Sequence, residues 1–338
     1  MPNEVLTHAI DRLASGEDLD ADEVEAVLTV IMEGEADEVQ TAGFLIALRT
    51  KGETVEELAG MARTMRLLAT PVSPEREDVI DTAGTGGGPT TINASTIAAL
   101  VAAGAGCAVA KHGNRSRTSL CGSADLLEEL GVPIDLTPEE IAASIDEVGF
   151  GFMFAPLHHE ATRYVVPVRK ALGVRTAFNL LGPLTNPAGA RRQVVGVSDR
   201  EFQETVAGAL STLGTEHALV VSADDGIDEI ALTAPTRIFE VRNDEVEEWS
   251  VGPADLGLRE ATLDELAGGT PAENADATRR ILAGEDSAGR DFVIANAAAA
   301  IFVAGRAETL AQAVPIAVES IDSGGAARVL ERLVEAGR

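Results

Sequence analysis

A run of glycines that follows a short apolar segment could bind an anion. Residues 79–83 (VIDTA) have the composition of a buried strand, and residues 84–88 (GTGGG) come directly after them. Because glycine carries no Cβ, the backbone N–H groups of such a turn can approach an anion closely. Asn93 and Ser95 then stand at the start of an alanine-rich helix, where either could cap the first turn. A helix N-terminus adds free donors and partial positive charge at the same place.

A second segment supplies fixed positive charge. Residues 111–116 (KHGNRS) place Lys111 and Arg115 in a loop of small polar residues, and Ser119 and Ser123 follow. The chain has only three lysines, so a lysine in such a loop suggests a use for its compact ammonium group. Together the two segments predict a site for a multiply phosphorylated small molecule.

The glycine run alone leaves an alternative open. Glycine-rich turns are common after strands, and GTGGG matches neither the dinucleotide-binding fingerprint nor the P-loop pattern. Taken by itself, the run fits an ordinary turn about as well as a phosphate site. The basic loop is what favours phosphate.

An acidic loop could hold a metal ion. Residues 224–229 (DDGIDE) follow the apolar segment ALVVSA, so their carboxylates are expected at the end of a strand. Mg²⁺ prefers oxygen ligands and often binds through one or two carboxylates, waters and substrate phosphates. The alternative is a solvated turn, which arises easily in a chain with 55 acidic residues.

These motifs carry a family resemblance. GTGG, INAST, KHGNRS and GSAD, in this order, resemble the anthranilate phosphoribosyltransferase family. The likeness continues through GFMFAP, PVRKALGVRTAFNLLGPLTNP, DGIDEI and NAAAAIFVAG, and so covers nearly the whole chain. It implies transfer of the phosphoribosyl group of 5-phosphoribosyl 1-diphosphate (PRPP) to the amine of anthranilate in tryptophan biosynthesis. It also implies Mg²⁺ as cofactor and a homodimer formed through small helical domains.

The resemblance assigns roles to individual residues. Lys111, Asn114 and Arg169 are the expected catalytic residues, with Arg169 meeting the carboxylate of anthranilate, although Arg169 could instead be a surface residue paired with Glu160 or Asp146. The expected metal ligands are Ser95, Asp228 and Glu229. The residues expected to bind anthranilate are Gly84, His112, Asn114, His159 and Arg169. Those expected to bind PRPP are Gly84, Gly87, Gly88, Thr91, Asn93, Ser95, Thr96, Lys111, His112, Gly113, Asn114, Arg115, Ser116, Ser119 and Ser123.

The chain departs from the family pattern at three places. Gly88 stands where the family has an aspartate, His158-His159-Glu160 replaces Tyr-His-Pro, and Cys121 replaces a serine. These departures keep two other functions open. One is an enzyme of the same fold with another acceptor, either a different aromatic amine or a nucleoside undergoing phosphorolysis. The other is a binding protein without catalysis.

The charge of the chain excludes some partners. Its net charge is −29 and its isoelectric point about 4.4, which argues against binding nucleic acid or an anionic membrane. The acidic residues are dispersed along the chain, a pattern that predicts adaptation to high salt, where screening weakens self-repulsion. The alternative is an ordinary acidic cytosolic enzyme. No apolar run is long enough to span a membrane and no signal pattern is present, which predicts a cytoplasmic protein with Cys107 and Cys121 as free thiols.

The spacing of apolar residues predicts an α/β protein with a small N-terminal helical domain. Residues 1–70 have helical periodicity, and from residue 79 strands and helices alternate, as in a mostly parallel sheet with an antiparallel pair near residues 236–251. Residues 163–173 are predicted to form a helix that packs back on the N-terminal helices. We therefore predict a helical domain over 1–70, joined by part of about 160–190, and an α/β domain over 77–338. The resemblance implies that the fold is of the nucleoside phosphorylase/phosphoribosyltransferase type. Predicted helix caps are Asp20 or Asp22, Asp37 and Thr54, and predicted helix ends are Gly16, Gly34 and Gly52.

Overall fold

The computed structural model describes residues 1–116 and 119–337. In this part of the chain the strands are β1 (Val79–Gly84), β2 (Ala108–Gly113), β3 (Phe150–Phe154), β4 (Arg192–Gly196), β5 (His217–Ala223), β6 (Thr236–Arg242) and β7 (Glu245–Val251). The helices are α1 (Glu4–Ala14), α2 (Ala21–Met32), α3 (Glu38–Lys51), α4 (Val55–Leu67), α5 (Ala94–Gly104), α6 (Ser123–Glu129), α7 (Pro138–Val148), α8 (Ala155–His158), α9 (Val166–Leu172), α10 (Phe178–Leu181), α11 (Gln203–Thr212), α12 (Leu263–Leu266), α13 (Pro271–Leu282), α14 (Ala288–Val303), α15 (Leu310–Asp322) and α16 (Gly325–Ala336).

The seven strands form one sheet in the order β3-β2-β1-β4-β5-β6-β7. Strands β1 to β5 run parallel to their neighbours, whereas β6 is antiparallel to β5 and β7 is antiparallel to β6. The prediction of a mostly parallel sheet with an antiparallel pair near residues 236–251 is therefore confirmed. Asn243 and Asp244 join that pair with φ of 50° and 68°, as a tight hairpin turn requires.

The order of the strands defines where a ligand can bind. From β1 the chain proceeds outward to β2 and β3, and then returns to place β4 on the other side of β1. In open α/β sheets a crevice forms at such a reversal, outside the carboxyl ends of the strands. The glycine run lies here, because it follows the carboxyl end of β1.

The four N-terminal helices begin at side-chain caps. Asp20, Asp37 and Thr54 accept hydrogen bonds from the first turns of α2, α3 and α4, which confirms three of the predicted caps. Gly52 directly follows α3 with φ of 93°, a conformation that residues with a Cβ rarely adopt. The prediction of a helical N-terminal segment is confirmed, while the boundaries given for the two domains stay a prediction.

The segment around residues 160–173 connects the N-terminal helices to the crevice. A single helix was predicted over residues 163–173, but Glu160–Tyr164 forms a 3₁₀ turn and α9 begins only at Val166. Pro167 explains this start, since proline fits the first turn of a helix but not its interior. Helix α9 packs against α3 and the 3₁₀ turn packs against α2, so the predicted return to the N-terminal helices is confirmed.

The two largest of three hydrophobic clusters cover opposite faces of the sheet. One is built from α5, α14, α15 and α16 on one face. The other joins the N-terminal helices, α9 and α11 to the opposite face, with α4 packed on α11. A shared core of this kind fixes α9 relative to the strands and so positions its side chains at the crevice.

Two further observations concern the described residues. Among them no helix is long and apolar enough to cross a membrane. Cys107 and Cys121 are both buried free thiols, as predicted.

Candidate active site

The acidic loop lies directly over the carboxyl ends of β1 and β4. Gly84 and Gly196 pair across these strands, and both face Asp228. A Cβ at Gly84 would lie 2.8 Å from Asp228 Oδ2, and one at Gly196 would lie 1.8 Å from the Asp228 carbonyl oxygen. Glycine is required at Gly196, because a Cβ there would collide with the backbone of the loop, whereas a Cβ at Gly84 would displace the Asp228 carboxylate. The structure thus brings the acidic loop and the glycine run together at the predicted crevice.

Gly88 allows the two loops to touch. A Cβ here would lie 2.4 Å from the Gly226 carbonyl oxygen and 3.4 Å from Asp228 Oδ1. An aspartate, which the family pattern has at this position, would meet that carbonyl and the charge of Asp228 in this arrangement. The departure at Gly88 is therefore matched by a close contact between the loops.

The peptide groups of Gly86 hold the glycine run in place. Its N–H donates to Asp228 Oδ2 at 3.1 Å, and its carbonyl oxygen accepts from Arg175 Nη2 and Ser198 Oγ, each at 2.7 Å. Arg175 is anchored in turn, since Arg49 on α3 donates to its carbonyl oxygen at 2.8 Å. Neither Arg175 nor Ser198 was assigned a role from the sequence. Only the position of Arg175 inside the resembling segment PVRKALGVRTAFNLLGPLTNP signalled it.

The start of α5 differs from the prediction. Asn93 occupies the N-cap position, but its side chain makes no capping hydrogen bond. Instead Asn93 Nδ2 donates to the Cys121 carbonyl oxygen at 3.0 Å, and Asn93 Oδ1 accepts from Asn274 Nδ2 at 2.8 Å. The prediction that Asn93 or Ser95 caps the helix is wrong, because a distant amide engages Asn93. The first turn of α5 is left without a side-chain cap, which suits an anion.

Lys111 is buried between β1 and α5. It is 2% exposed, and its Nζ donates to the Thr82 carbonyl oxygen at 2.5 Å and to Thr82 Oγ1 at 3.1 Å. Ser95 Oγ lies 3.5 Å from the same nitrogen. Burial lowers the pKa of Lys111 to about 8, against the opposing effect of the Asp81 and Glu229 carboxylates. The ammonium is therefore held beside the uncapped helix start in a water-poor environment.

Asp81 is a buried carboxylate that sequence reasoning missed. It accepts from the backbone N–H of His112 at 3.1 Å and from Asn186 Nδ2 at 2.8 Å. Burial raises the pKa of Asp81, and the charge of Lys111 opposes that rise. A charged residue inside the apolar segment VIDTA was the available signal, because an acid in a central strand needs a partner.

Asp228 and Glu229 place two adjacent carboxyl groups deep in the crevice. Their side chains keep some contact with solvent, yet protein surrounds them. Burial raises the pKa of Asp228, and it raises that of Glu229 further because the charge of Asp228 lies next to it. A cavity of about 10 Å³, measured for the centre of a water molecule, adjoins both and is also lined by Ser95, Thr82 and Asn296. Its size suits one water or one ion.

A divalent cation fits this group of residues. When ionised, Asp81, Asp228 and Glu229 carry three negative charges against the positive charges of Lys111 and Arg175, so one is uncompensated. The described residues contain no cluster of three or more histidine, cysteine or acidic side chains arranged to hold a metal. Two carboxylates and the Ser95 hydroxyl therefore match Mg²⁺ bound mainly through waters and substrate phosphates.

Three histidines lie together on the other side of the crevice. Nδ1 of His112 is 3.2 Å from the Gly182 carbonyl oxygen, and Nδ1 of His158 is 3.0 Å from that of Thr70. A carbonyl only accepts, so Nδ1 carries the hydrogen in both, and Nε2 is left as a buried acceptor without a partner. Burial, together with neighbouring histidines, lowers the pKa of His112 to about 3 and of His159 to about 4. These rings are neutral at physiological pH.

Arg169 is oriented by its neighbours on α10. Its guanidinium stacks on the Phe178 ring, 5.3 Å from the centroid, and Nη2 donates to Asn179 Oδ1 at 3.3 Å. Asn179 Oδ1 also accepts from the Thr176 N–H at 3.0 Å, which fixes the amide. Arg169 is half-buried. A planar cation oriented in this way has the geometry that suits a carboxylate.

The rest of the basic loop is occupied by contacts within the protein. Arg115 pairs with Asp125 at 2.9 Å and with Glu128 at 2.8 Å, so it would have to exchange these carboxylates for a phosphate. Ser123 Oγ donates to the Asn114 carbonyl oxygen at 3.2 Å. The predicted loop from Lys111 to Ser119 also contains Arg117 and Thr118, which lie outside the described residues.

The structure also places five other residues that were predicted to belong to the site. Thr91 pairs with Ala267 in an isolated bridge, and Thr96 is buried in α5 with no partner for its hydroxyl. Gly113 ends β2, and the hydroxyls of Ser116 and Ser119 lie 2.7 Å apart. The roles expected of these residues toward a ligand stay predictions.

Comparisons with known proteins agree with one another. Residues 76–327 match the family described as glycosyl transferase family, a/b domain, and residues 7–69 match its helical bundle domain. The anthranilate phosphoribosyltransferase of Symbiobacterium thermophilum is 52% identical over 325 residues, which is 96% of this chain and 95% of that protein. The crystal structure of the enzyme from Thermus thermophilus superposes with a TM-score of 0.93 at 45% identity, covering 98% of this chain and 99% of the other. The Saccharomyces cerevisiae enzyme in complex with PRPP and Mg gives 0.90 at 27% identity, covering 99% and 98%.

The depressed pKa of His112 predicts a loss of stability in mild acid. Because its folded-state pKa of about 3 lies below the unfolded value of about 6.5, only the unfolded chain binds a proton between these values. The contribution of the neutral ring to the free energy of unfolding is fully present above a pH of about 6.5. It is lost as the pH falls, and the loss reaches about 2 kcal/mol at a pH of about 5. His112→Asn keeps a donor for the Gly182 carbonyl and cannot titrate. Urea unfolding at both pH values should show the variant losing about 2 kcal/mol less than the wild type; equal losses would contradict a neutral buried ring.

Proposed function

The chain belongs to the anthranilate phosphoribosyltransferase family, and from this premise we infer that it transfers the phosphoribosyl group of PRPP to the amine of anthranilate. Diphosphate is released, and the product is N-(5-phosphoribosyl)anthranilate, an intermediate of tryptophan biosynthesis. The observation that carries the proposal is the meeting of four features at the sheet reversal. These are the glycine run, the uncapped start of α5, buried Lys111 and the pair Asp228–Glu229.

The phosphates of PRPP would occupy the side of the crevice formed by β1 and α5. Within residues 84–88 and 93–96, the N–H groups of Thr85, Gly86, Ala94 and Thr96 already donate within the protein, so Gly87, Gly88 and Ser95 are the candidate backbone donors to phosphate. The positive end of α5 points at the same place. Lys111 supplies a fixed charge that is strengthened by its low-dielectric surroundings. Residues 113–116, Ser119 and Ser123 would close over the bound substrate, with Arg115 exchanging its carboxylate partners for phosphate.

Mg²⁺ is the cofactor, and when bound it neutralises charge on the departing diphosphate. Asp228, Glu229 and Ser95 are the residues we propose to hold it. The uncompensated negative charge of the ionised carboxylates and the small cavity beside them support this assignment. The contact between Gly86 N–H and Asp228 ties the metal side of the site to the glycine run.

The reaction exchanges one bond at the ribose for another. The bond from the anomeric carbon to diphosphate breaks, the amine nitrogen bonds to that carbon, and the nitrogen then loses a proton. Positive charge develops on the ribose ring as diphosphate departs, so catalysis consists mainly of stabilising the leaving group and aligning the amine. A neutral aromatic amine is already nucleophilic, and no strong base is needed.

The acceptor would lie between Arg169 and the histidines. Arg169 would bind the carboxylate of anthranilate, since Phe178 and Asn179 already hold its guanidinium. A pKa of about 3 makes His112 too weak a base to remove the amine proton. Its unpartnered Nε2 suits a different task, which is to accept a hydrogen bond from the amine once the crevice is occupied. His159, neutral for the same reason, and Asn114 and Gly84 would line the same space.

Turnover of PRPP with anthranilate tests this proposal, and Arg169→Ala tests the acceptor half. In high potassium chloride with Mg²⁺, wild-type protein should remove anthranilate fluorescence, whereas nucleoside with phosphate should give no reaction. Loss of a charge-assisted bond of about 1.5–3 kcal/mol should raise the KM for anthranilate about tenfold to a hundredfold in Arg169→Ala and leave the KM for PRPP nearly unchanged. Arg163→Ala, an exposed arginine on the same segment, is the matched control. Equal weakening of both substrates would remove Arg169 from the acceptor site.

We also propose that the protein is a cytoplasmic homodimer adapted to high salt. The resemblance implies the dimer through the N-terminal helices, and Val5 on α1 and Val39 on α3 expose apolar surface there, at 40% and 81%. Supporting the salt adaptation is the net charge of −29 in a chain with only 26 basic residues. Many of those basic residues are already paired with carboxylates, so repulsion among the remaining acids is uncompensated.

High salt is expected to stabilise the folded protein. Screening lengths fall from about 10 Å in 0.1 M salt to about 3 Å in 1 M, which suppresses repulsion between dispersed surface charges. A thermal melt in molar potassium chloride should therefore lie well above one at low ionic strength. A melting temperature that does not change with salt would contradict the adaptation without affecting the proposed reaction.

A further inference from the structure

Asn274 lies outside the phosphate site but reaches into its framework. It stands in the first turns of α13, is 3% exposed, and belongs to no segment singled out in the sequence. Its Nδ2 donates to Asn93 Oδ1 at 2.8 Å, across 181 positions of the chain, and its Oδ1 accepts from the Gly269 N–H at 2.7 Å. Asn93 Nδ2 in turn donates to the Cys121 carbonyl oxygen at 3.0 Å.

Backbone groups at both ends fix the orientation of the two linked amides, Asn93 and Asn274. The Gly269 N–H can only donate, so Asn274 must present its oxygen there and its NH₂ group to Asn93. The Cys121 carbonyl can only accept, so Asn93 must present its NH₂ group there and its oxygen to Asn274. Neither amide can turn over without placing two acceptors or two donors against each other. The orientation of Asn93 is therefore determined by its neighbours.

The linked amides of Asn93 and Asn274 also join three loops around the start of α5. Residues 90–92 pair with residues 266–268: the Ile92 N–H donates to the Leu266 carbonyl at 3.0 Å, and the Gly268 N–H donates to the Thr90 carbonyl at 3.2 Å. Cys121 belongs to the basic loop. Asn274 thus links the segment after the glycine run, the segment that carries Cys121 and the start of α13 through partly buried hydrogen bonds.

An asparagine at the start of a helix would ordinarily cap it. Asn93 does not, because both ends of its amide are engaged by Asn274 and Cys121. The N–H groups of Ala94 and Thr96 already donate to the Ile92 and Asn93 carbonyl oxygens, at 2.6 and 3.0 Å. If the contact to Asn274 were removed, Asn93 Oδ1 would be free to accept from the Ser95 N–H in the first turn of α5. It would then compete with a phosphate for that donor.

We propose that Asn274 is a positioning residue for PRPP: by holding the Asn93 side chain away from the first turn of α5, it keeps that turn open to a phosphate. The inference rests on the proposed function, since it takes the phosphate at this helix start to be that of PRPP. Asn274 itself touches no substrate and acts through Asn93. Anthranilate binding, on the opposite side of the crevice, is independent of it.

The test is a double-mutant cycle on Asn93 and Asn274. Binding of PRPP with Mg²⁺ is measured by calorimetry, and the two KM values are measured by anthranilate fluorescence, in high potassium chloride. Loss of one hydrogen bond of about 0.5–1.5 kcal/mol predicts that Asn274→Ala weakens PRPP binding by about twofold to tenfold. The KM for anthranilate should not change. Because Asn274 acts through Asn93, the double variant should bind PRPP no more weakly than Asn93→Ala alone.

Two further variants separate positioning from a purely structural role. Thr278→Val removes a buried hydrogen bond of 2.7 Å to the Asn274 carbonyl, one turn along α13, and should lower the melting temperature while leaving PRPP affinity at the wild-type value. Asn274→Asp keeps the size of the side chain and an acceptor for Gly269, and at pH 8, chosen so that the new carboxyl is ionised, it sets oxygen against oxygen at Asn93. It should weaken PRPP binding even if Asn274→Ala fails to fold.

The remaining outcomes separate the role proposed for Asn274 from the proposed function. Multiplicative effects in the cycle, or wild-type PRPP affinity in Asn274→Ala and Asn274→Asp, would overturn the inference while leaving the proposed function intact. Wild-type protein that binds PRPP but does not consume anthranilate would overturn the proposed function. In that case a weaker, non-additive PRPP affinity in the variants would still support the role of Asn274.

Discussion

The buried ammonium of Lys111 among carboxylates is the interaction on which the site depends. Lys111 stands inside a parallel sheet, where an unpaired charge would be strongly unfavourable. Asp81 on β1 and Glu229 after β5 compensate that charge, and Thr82 and Ser95 take up its hydrogen bonds. Strands β1 and β2, the start of α5 and the acidic loop must therefore be in place together for the lysine to remain buried and charged. The uncompensated charge of the ionised carboxylates then favours a divalent cation.

The same cluster also sets the acceptor side of the crevice. Asp81 accepts from the His112 N–H and from Asn186, and the His112 ring donates to the Gly182 carbonyl. The segment from Gly182 to Asn186 is thereby fixed to β1 and β2 at two points. Arg169 and Asn179 lie just before it in the chain, so one set of buried polar contacts positions both halves of the reaction. Removal of Asp81 would be expected to disturb both.

How much could be predicted depended on the range of the interactions. The strands, the caps Asp20, Asp37 and Thr54, and the acidic loop follow from neighbouring residues, so periodicity and local chemistry were sufficient. The start of α9 was misplaced because the effect of Pro167 was overlooked. Asn93 was wrongly expected to cap α5 because its partner, Asn274, is 181 residues away. Arg175 contacts Gly86 through a fold that no local pattern describes. Family resemblance named residues that are expected to face the ligands, but not these supporting ones.

The most direct test of the account removes the two carboxylates at the metal side. Asp228→Asn with Glu229→Gln preserves shape while relieving the charge excess, and Asp224→Asn neutralises an exposed carboxylate of the same loop as a control. Thermal melting and turnover should be measured across a range of Mg²⁺ concentrations. We predict an unchanged or higher melting temperature without substrates, together with a steep loss of turnover and a raised Mg²⁺ requirement in the double variant only. Wild-type turnover at limiting Mg²⁺ would contradict the account and leave the acidic loop as a solvated turn.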